Sequence, residues 1–380
     1  MLKRQSLVVV SIVLMVILTL SCTPKQQDTR ATTQSQPTPV ATAAAKPATV
    51  SAEDAAWAQV VSAAKKEGKV TIYSFSFIGD LGVGLAKTFK ERYGIQMEVV
   101  AGSGAVFLER FRVEARAGRY VADVLEGAVM NAILAKKDGL SQSFTSLPAL
   151  NETGVWLFDP RLDSENHFVG YTPIINSLWA NTKLVATAEE PKSWRDLLDP
   201  KWKGKMLVND PDTMSIPNFH YIVLTRYLGF DDDYFRALGR QELIVLPNQR
   251  ETDSRLARGE APLNLTSTLA SSGSLVAEGA PIKPLDMKEG VSAQVQALNV
   301  VAGAPHPNAA RLFINWLLSP EGQTVNARVK SSQPLRTDVQ DYTPASTRVK
   351  FTRIVILTPK ELEELTQLAR QRVLSKLWGR

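Results

Sequence analysis

The sequence predicts an α/β protein whose mainly parallel sheets are flanked by helices and whose chain is shared between two lobes. Two observations carry this. Strand-like and helix-like segments alternate from residue 51 to residue 125, and such alternation builds a mainly parallel sheet with helices on both faces. The folded part, residues 51–380, is also long for a single hydrophobic core and suits two.

The first helix begins at Ser51, whose spacing to Asp54 is that of a capping box. Trp57, Val60, Val61 and Ala64 share one face, and Gly68 stops the helix. Residues 70–75, dense in β-branched and aromatic side chains, read as a strand. A helix over 80–93 follows, with Leu81, Leu85 and Phe89 on one stripe and Gly94 at its end. Ile95, Met97 and Val99 alternate with polar residues as a second strand. After Gly102-Ser103-Gly104 comes a helix that aligns Leu108, Phe111 and Ala115 and ends at Gly118. Residues 121–125 form the third strand. Ligands of open α/β sheets sit at strand carboxyl ends, which singles out the loops 74–79 and 102–105.

Residues 168–181 look extended, and 194–198 form a short helix before a lysine-rich turn at 199–205. A strand at 206–209 exits through Asp210-Pro211-Asp212. Helices are expected at 220–228 and 232–238, short strands at 244–246 and 262–265, and an extended stretch at 291–301. Asn308 is placed to cap a helix carrying Ala309, Leu312, Phe313, Trp316 and Leu317. Ser319-Pro320 opens another, with proline at the first helical position. A last amphipathic helix is expected over 359–378.

The N-terminus reads as an export signal. Lys3 and Arg4 precede an apolar run at 7–20, shorter than the about 20 residues a membrane span needs but suited to a signal peptide. The run ends at Cys22, the only cysteine, so there is no disulfide framework. The site resembles a bacterial lipobox, although Thr19 and Leu20 depart from its pattern. The expectation is a signal peptide at 1–21, a lipidated Cys22, and a disordered tether over 22–50 rich in Thr, Gln, Pro and Ala. Such a tether reaches roughly 30 Å. The protein is thus expected outside the cytoplasm, held to the cell membrane by lipid. A net charge of +6 is too mild and dispersed to argue for nucleic acid.

Several strings resemble the type II periplasmic binding proteins, in the branch that includes the ferric-iron-binding proteins. They are AAKKEGKV at 63–70, FKERYG at 89–94, Glu114 to Gly118 with Ala122-Asp123-Val124, PKSWRDLLDPKWKGK at 191–205, Gly279-Ala280-Pro281 and PHPNAARLFINWLLSPEGQ at 305–323. The resemblance implies two α/β lobes joined by crossing strands at about 168–176 and 291–301. Lobe 1 takes 51–172 with 295–380, and lobe 2 takes 173–294. It also implies a solute in the cleft, hinge closure, delivery to an ABC transporter permease, a monomer, no enzymatic activity and no cofactor.

Ferric-binding members carry a tyrosine pair where this chain has 266–271, TSTLAS, without tyrosine. The loop after the first strand offers Ser74, Phe75, Ser76 and Asp80, which do not assemble the anionic oxygens that a trivalent cation requires. A polar or anionic solute fits better. Ser103 and Gly104 can present backbone N–H groups at a helix start, though a plain turn explains them equally. Thr266 and Ser267 can act from the other lobe, or can simply cap a helix. Arg110 and Arg250 can supply charge, or can be surface arginines. Asn209 and Asp210 stand at a strand end, where Pro211 also suits a turn. Tyr171 and Trp179 can stack on a ligand or serve the core. Two other readings keep the fold: iron held by non-tyrosine ligands or with a synergistic anion, and a sensing partner of a membrane receptor kinase. For an enzyme, His167, His220 and His306 are scattered, and no nucleophile, Walker or dinucleotide motif occurs.

Overall fold

The computed structural model describes residues 51–102, 104–144, 147–213 and 215–380. The expected signal peptide, Cys22, the tether and Ser103 lie outside the described residues.

Helix α1 (Ala52–Glu67) starts at Ser51, whose Oγ accepts from the Asp54 N–H at 3.0 Å, and ends at Gly68 in the left-handed conformation, φ 69°. Strand β1 (Lys69–Ser74), α2 (Gly79–Tyr93), β2 (Gln96–Ala101), α3 (Gly104–Ala117) and β3 (Val124–Ala128) follow. Helix α4 (Val129–Lys137) leaves β3 directly, and β4 (Ser141–Gln142) is a short side strand. The long strand β5 (Phe168–Asn181) leads to β6 (Met206–Asn209), α5 (Ile216–Tyr227), α6 (Asp232–Gly239), β7 (Ile244–Leu246), α7 (Gln249–Arg258), β8 (Leu263–Thr268), α8 (Leu269–Ala277) and β9 (Ile282–Leu285). The second long strand, β10 (Val291–Val301), precedes α9 (Pro307–Leu318), α10 (Pro320–Lys330), β11 (Ile354–Ile356), α11 (Pro359–Arg370) and α12 (Val373–Leu377).

The main strand order is β2-β1-β3-β10-β5-β8-β6-β7. Pairing is parallel at both ends, in β2-β1-β3 and in β8-β6-β7. It is antiparallel in the middle, where β10 pairs with β3 and β5, and β5 with β8. Strands β5 and β10 lie where the crossing strands were expected. Each half of the sheet has its own core. The first gathers Ile72, Phe77, Phe89, Phe313 and Trp316, and the second Trp194, Trp202, Tyr234 and Leu263. Burying one such side chain contributes about 1.5–3 kcal/mol, more than an exposed ion pair, so these clusters set the two halves.

Four of the expected features differ in the structure, apart from elements that the sequence reading did not contain. Asn308 does not cap α9: the helix starts at Pro307 after His306. The Glu67 carboxylate instead accepts from the Asn308 side chain and from the Ala309 N–H, both at 2.7 Å. Strand β3 begins three residues later than expected, and Asp123 stands at its edge, its N–H donating to the Thr71 carbonyl at 2.8 Å and its carbonyl accepting from the Val301 N–H at 2.9 Å. Its carboxylate accepts from the Thr71 N–H at 2.7 Å and the His306 N–H at 2.6 Å. The terminal helix is split by Arg372 at φ 53°. Finally, the chain end expected in lobe 1 packs Leu374 and Trp378 into the second core. A β-carbon on Gly239 would stand 2.5 Å from the Trp378 Cα, so this close docking requires glycine on α6.

Candidate solute site between the two halves of the sheet

The carboxyl ends of β3, β6 and β7 face one cavity of about 310 Å³, the size range of small-molecule sites. Its walls combine Ala128, Val129 and Met130 at the start of α4 with Ser215, Ile216 and Phe219 at the start of α5. Asn209, Thr213, Pro247, Asn248 and Gln249 come from the loops after β6 and β7, Gln294 from β10, and Leu362 and Leu365 from α11. Among the described residues, none that lines it is ionisable. A larger cavity of about 520 Å³ is formed by α1, α9 and the 148–151 turn alone, away from every strand end.

The hydrogen bonds fix what the cavity's amides offer. Asn209 Oδ1 accepts from the Thr266 hydroxyl at 2.7 Å and the Thr252 hydroxyl at 3.2 Å, which leaves Nδ2 as its group for a ligand. Asn248 Oδ1 accepts from the Glu251 N–H at 3.0 Å, so Nδ2 is again what remains. Gln249 donates from Nε2 to Thr268 Oγ1 at 3.1 Å, and Gln294 from Nε2 to Asn176 Oδ1 at 3.2 Å. Both therefore keep Oε1. Two helix starts lack a side-chain cap. Ala128 cannot supply one to α4, and the Ser215 hydroxyl donates instead to the Asp210 carbonyl at 2.7 Å. At α4 the uncapped N–H groups and the helix dipole favour negative charge; at α5, where Pro217 has no N–H and the Asn218 N–H donates to the Ser215 carbonyl at 3.0 Å, the dipole is the main contribution.

Beside this cavity the loop after β1 is held by a buried carboxylate, Glu126. It accepts from Ser74 Oγ at 2.5 Å, the Phe75 N–H at 3.0 Å, the Ser76 N–H and Oγ, both at 2.9 Å, and Tyr171 Oη at 2.7 Å. Burial and the Glu126 charge hold the Tyr171 phenol well above its ordinary range. Gln296 Oε1 accepts from Tyr171 at 2.9 Å and from Lys330 Nζ at 3.2 Å. Burial lowers Lys330 to about 8 against the opposing pull of Glu126.

Asn209 is the expected residue that lines the cavity. Ser74 and Tyr171 are buried in the Glu126 network, Ser76 is half-buried there, and Phe75 is 57% exposed. Thr266 and Ser267 lie beneath the surface, bonded to Asn209 and to Ser272. Asp210 makes its turn, accepting from the Asp212 N–H at 2.9 Å. Arg110 is occupied elsewhere, 2.9 Å from Glu114 and 4.5 Å above the Tyr73 ring. Arg250 is exposed on the first turn of α7, and Gly104 opens α3. Glu126, Gln249, Gln294 and Gln296 were not foreseen. The crossing-strand glutamines had one legible signal, polar residues at alternate positions of an otherwise apolar strand.

The sequence matches the bacterial extracellular solute-binding protein family over residues 84–352. The chain belongs to this family. It is 27% identical over 278 residues to an uncharacterized protein of Haemophilus influenzae, spanning 71% of this chain and 78% of that one. It is 24% identical over 263 residues to the thiamine-binding periplasmic protein of Escherichia coli, spanning 67% and 77%. Iron-bound HitA from Pseudomonas aeruginosa superposes with a TM-score of 0.64 at 21% identity, covering 80% of this chain and 99% of that one. The fold is thus the two-lobed type II periplasmic binding protein fold. Family members work outside the cytoplasm and deliver small solutes to the permeases of ABC importers. This solute-binding protein is not an enzyme. Among the described residues, no helix is long and apolar enough to cross a membrane.

Proposed function

We propose that this solute-binding protein captures a small polar or anionic solute in the cavity between its lobes and hands it to an ABC permease. The observation that carries the reading is the chemistry of the cavity. Amide groups from Asn209, Asn248, Gln249 and Gln294 line it beside two uncapped helix starts, with no ionisable side chain among the described residues. Helix termini bind anions without a counter-charge, whereas ferric iron demands anionic oxygens. Release of residues 1–21, lipid on Cys22 and a tether over 22–50 hold the monomer at the membrane in this reading. The lobe boundaries expected from the sequence belong to it too, except that helices α11 and α12 at the C-terminus are carried by lobe 2.

A thermal-shift screen over phosphonates, carboxylates, amines, thiamine and ferric iron tests the solute. A true ligand at 100 times its dissociation constant stabilises the protein by about 2.7 kcal/mol. Stabilisation by an anion supports the reading, and stabilisation by ferric iron alone overturns it. Mass spectrometry of the membrane-extracted protein tests the anchor, since an unmodified Cys22 removes it.

A further inference from the structure

Helix α11 lies beyond the end of the family match at residue 352. It brings Leu362 and Leu365 into an apolar cluster that belongs to neither lobe core. That cluster joins Val129, Met130 and Ile133 of α4 to Phe219, Ile222 and Val223 of α5. Helix α4 follows a strand of the first half of the sheet, and α5 follows a strand of the second. The same two leucines form a wall of the cleft cavity.

The polar contacts of α11 are unequal. Toward α5, Glu361 accepts from Tyr227 Oη at 2.8 Å and pairs with Arg226 at 3.3 Å, while Arg226 also pairs with Glu364. The following segment adds Arg372 on Asp212 at 2.7 Å, with Ser375 on the same carboxylate at 2.6 Å. Toward α4, an exposed pair, Lys137 with Glu363 at 3.4 Å, accompanies the apolar contact among the described residues. Directional hydrogen bonds to charged groups resist sliding, whereas apolar contact is non-directional and is lost in proportion to the area separated.

We propose that α11 is a clasp carried by lobe 2. It closes on α4 of lobe 1 through a seam of Leu362 and Leu365 against Val129 and Met130. The seam sets the balance between closed and open clefts, and it walls the cavity on one side. The consequence for solute rests on the cavity being the solute site. The clasp itself does not, and its test uses no solute.

The test uses the full chain with Cys22→Ser and spin labels on Lys87→Cys in α2 and Asp233→Cys in α6, both exposed. Pulsed electron resonance then reads the distance between the lobes. In Leu362→Ala/Leu365→Ala, a second distance population rises above the roughly 10% of a minor conformer. Hydrogen exchange increases in residues 129–137 and stays unchanged in α1 and α9. If the double variant does not fold, Leu362→Ala alone is read in the same way. A distance distribution identical to the parent's, or exchange that rises uniformly through both lobes, overturns the proposal.

Discussion

The Tyr171 hydroxyl donates a 2.7 Å hydrogen bond to Glu126, tying a crossing strand to the carboxylate that shapes the loop after β1. Glu126 has no exposed surface, yet its oxygens are met by backbone and hydroxyl donors. Those hydrogen bonds replace the water that the buried carboxylate gives up. The loop that presents Phe75 is thereby fixed to the two crossing strands, which carry Tyr171 and Gln296.

Glu126→Gln replaces an acceptor oxygen with an amide NH2 group, a donor that faces other donors. Chemical denaturation is expected to show a loss of about 1–3 kcal/mol, the cost of unsatisfied buried groups. Tyr171→Phe leaves the carboxylate its other donors and loses about 0.5–1.5 kcal/mol. An equal loss in the two variants contradicts a network centred on Glu126.

His220 gives the protein a defined acid sensitivity. It is buried, with Nε2 3.0 Å from the Leu265 carbonyl and Nδ1 3.1 Å from the Ser292 hydroxyl. Burial lowers its pKa from 6.5 to about 4. The unfolded chain therefore binds a proton that the folded one refuses between these values. The stability is fully present above pH 6.5 and is lost as pH falls toward 4, in total about 3 kcal/mol. Denaturation midpoints across this window should flatten in His220→Gln. A parent slope retained in the variant assigns the effect elsewhere.

What the sequence made legible follows from periodicity and its failures. Residues 70–74 and 291–301 stand out because they are buried, rich in β-branched residues and bounded by turns. Helix α4 escaped because Val129, Met130, Ala132, Ile133 and Ala135 are all buried, so no polar face marks a 3.6-residue period. Helix α7 escaped for the opposite reason: its QRETDSRLAR stretch buries Thr252, Asp253 and Leu256 and reads as a polar loop. The strand-end rule reaches Asn209 on the cavity wall, whereas Thr266 and Ser267 at another strand end bond to Asn209 and Ser272 inside the framework. Glu126 was illegible because a carboxylate in an apolar strand looks like a strand end until its donors, far away in sequence, are seen.

Gly239→Ala tests the docking of the C-terminus on lobe 2. The added methyl carbon meets the Trp378 backbone at 2.5 Å and must displace α12. The expected loss is about 1–3 kcal/mol, as for other overpacked sites, with a red-shifted tryptophan emission as Trp378 is exposed. An unchanged midpoint shows that the chain end is free to shift.

The charge preference of the cavity turns on Asn209. In Asn209→Asp one carboxylate oxygen keeps the Thr266 and Thr252 hydroxyls. The other takes the place of Nδ2 and turns a donor into a negative acceptor at the mouth of two uncapped helix starts. Fold and stability change little, because the internal hydrogen bonds are retained. An anionic solute is expected to bind at least roughly tenfold more weakly, about 1.4 kcal/mol, and a cationic one more tightly. Titration calorimetry with the solute found by thermal shift measures both. Equal affinity for an anion in parent and variant removes Asn209 from the site and, with it, the reading of the cavity as an anion receptor.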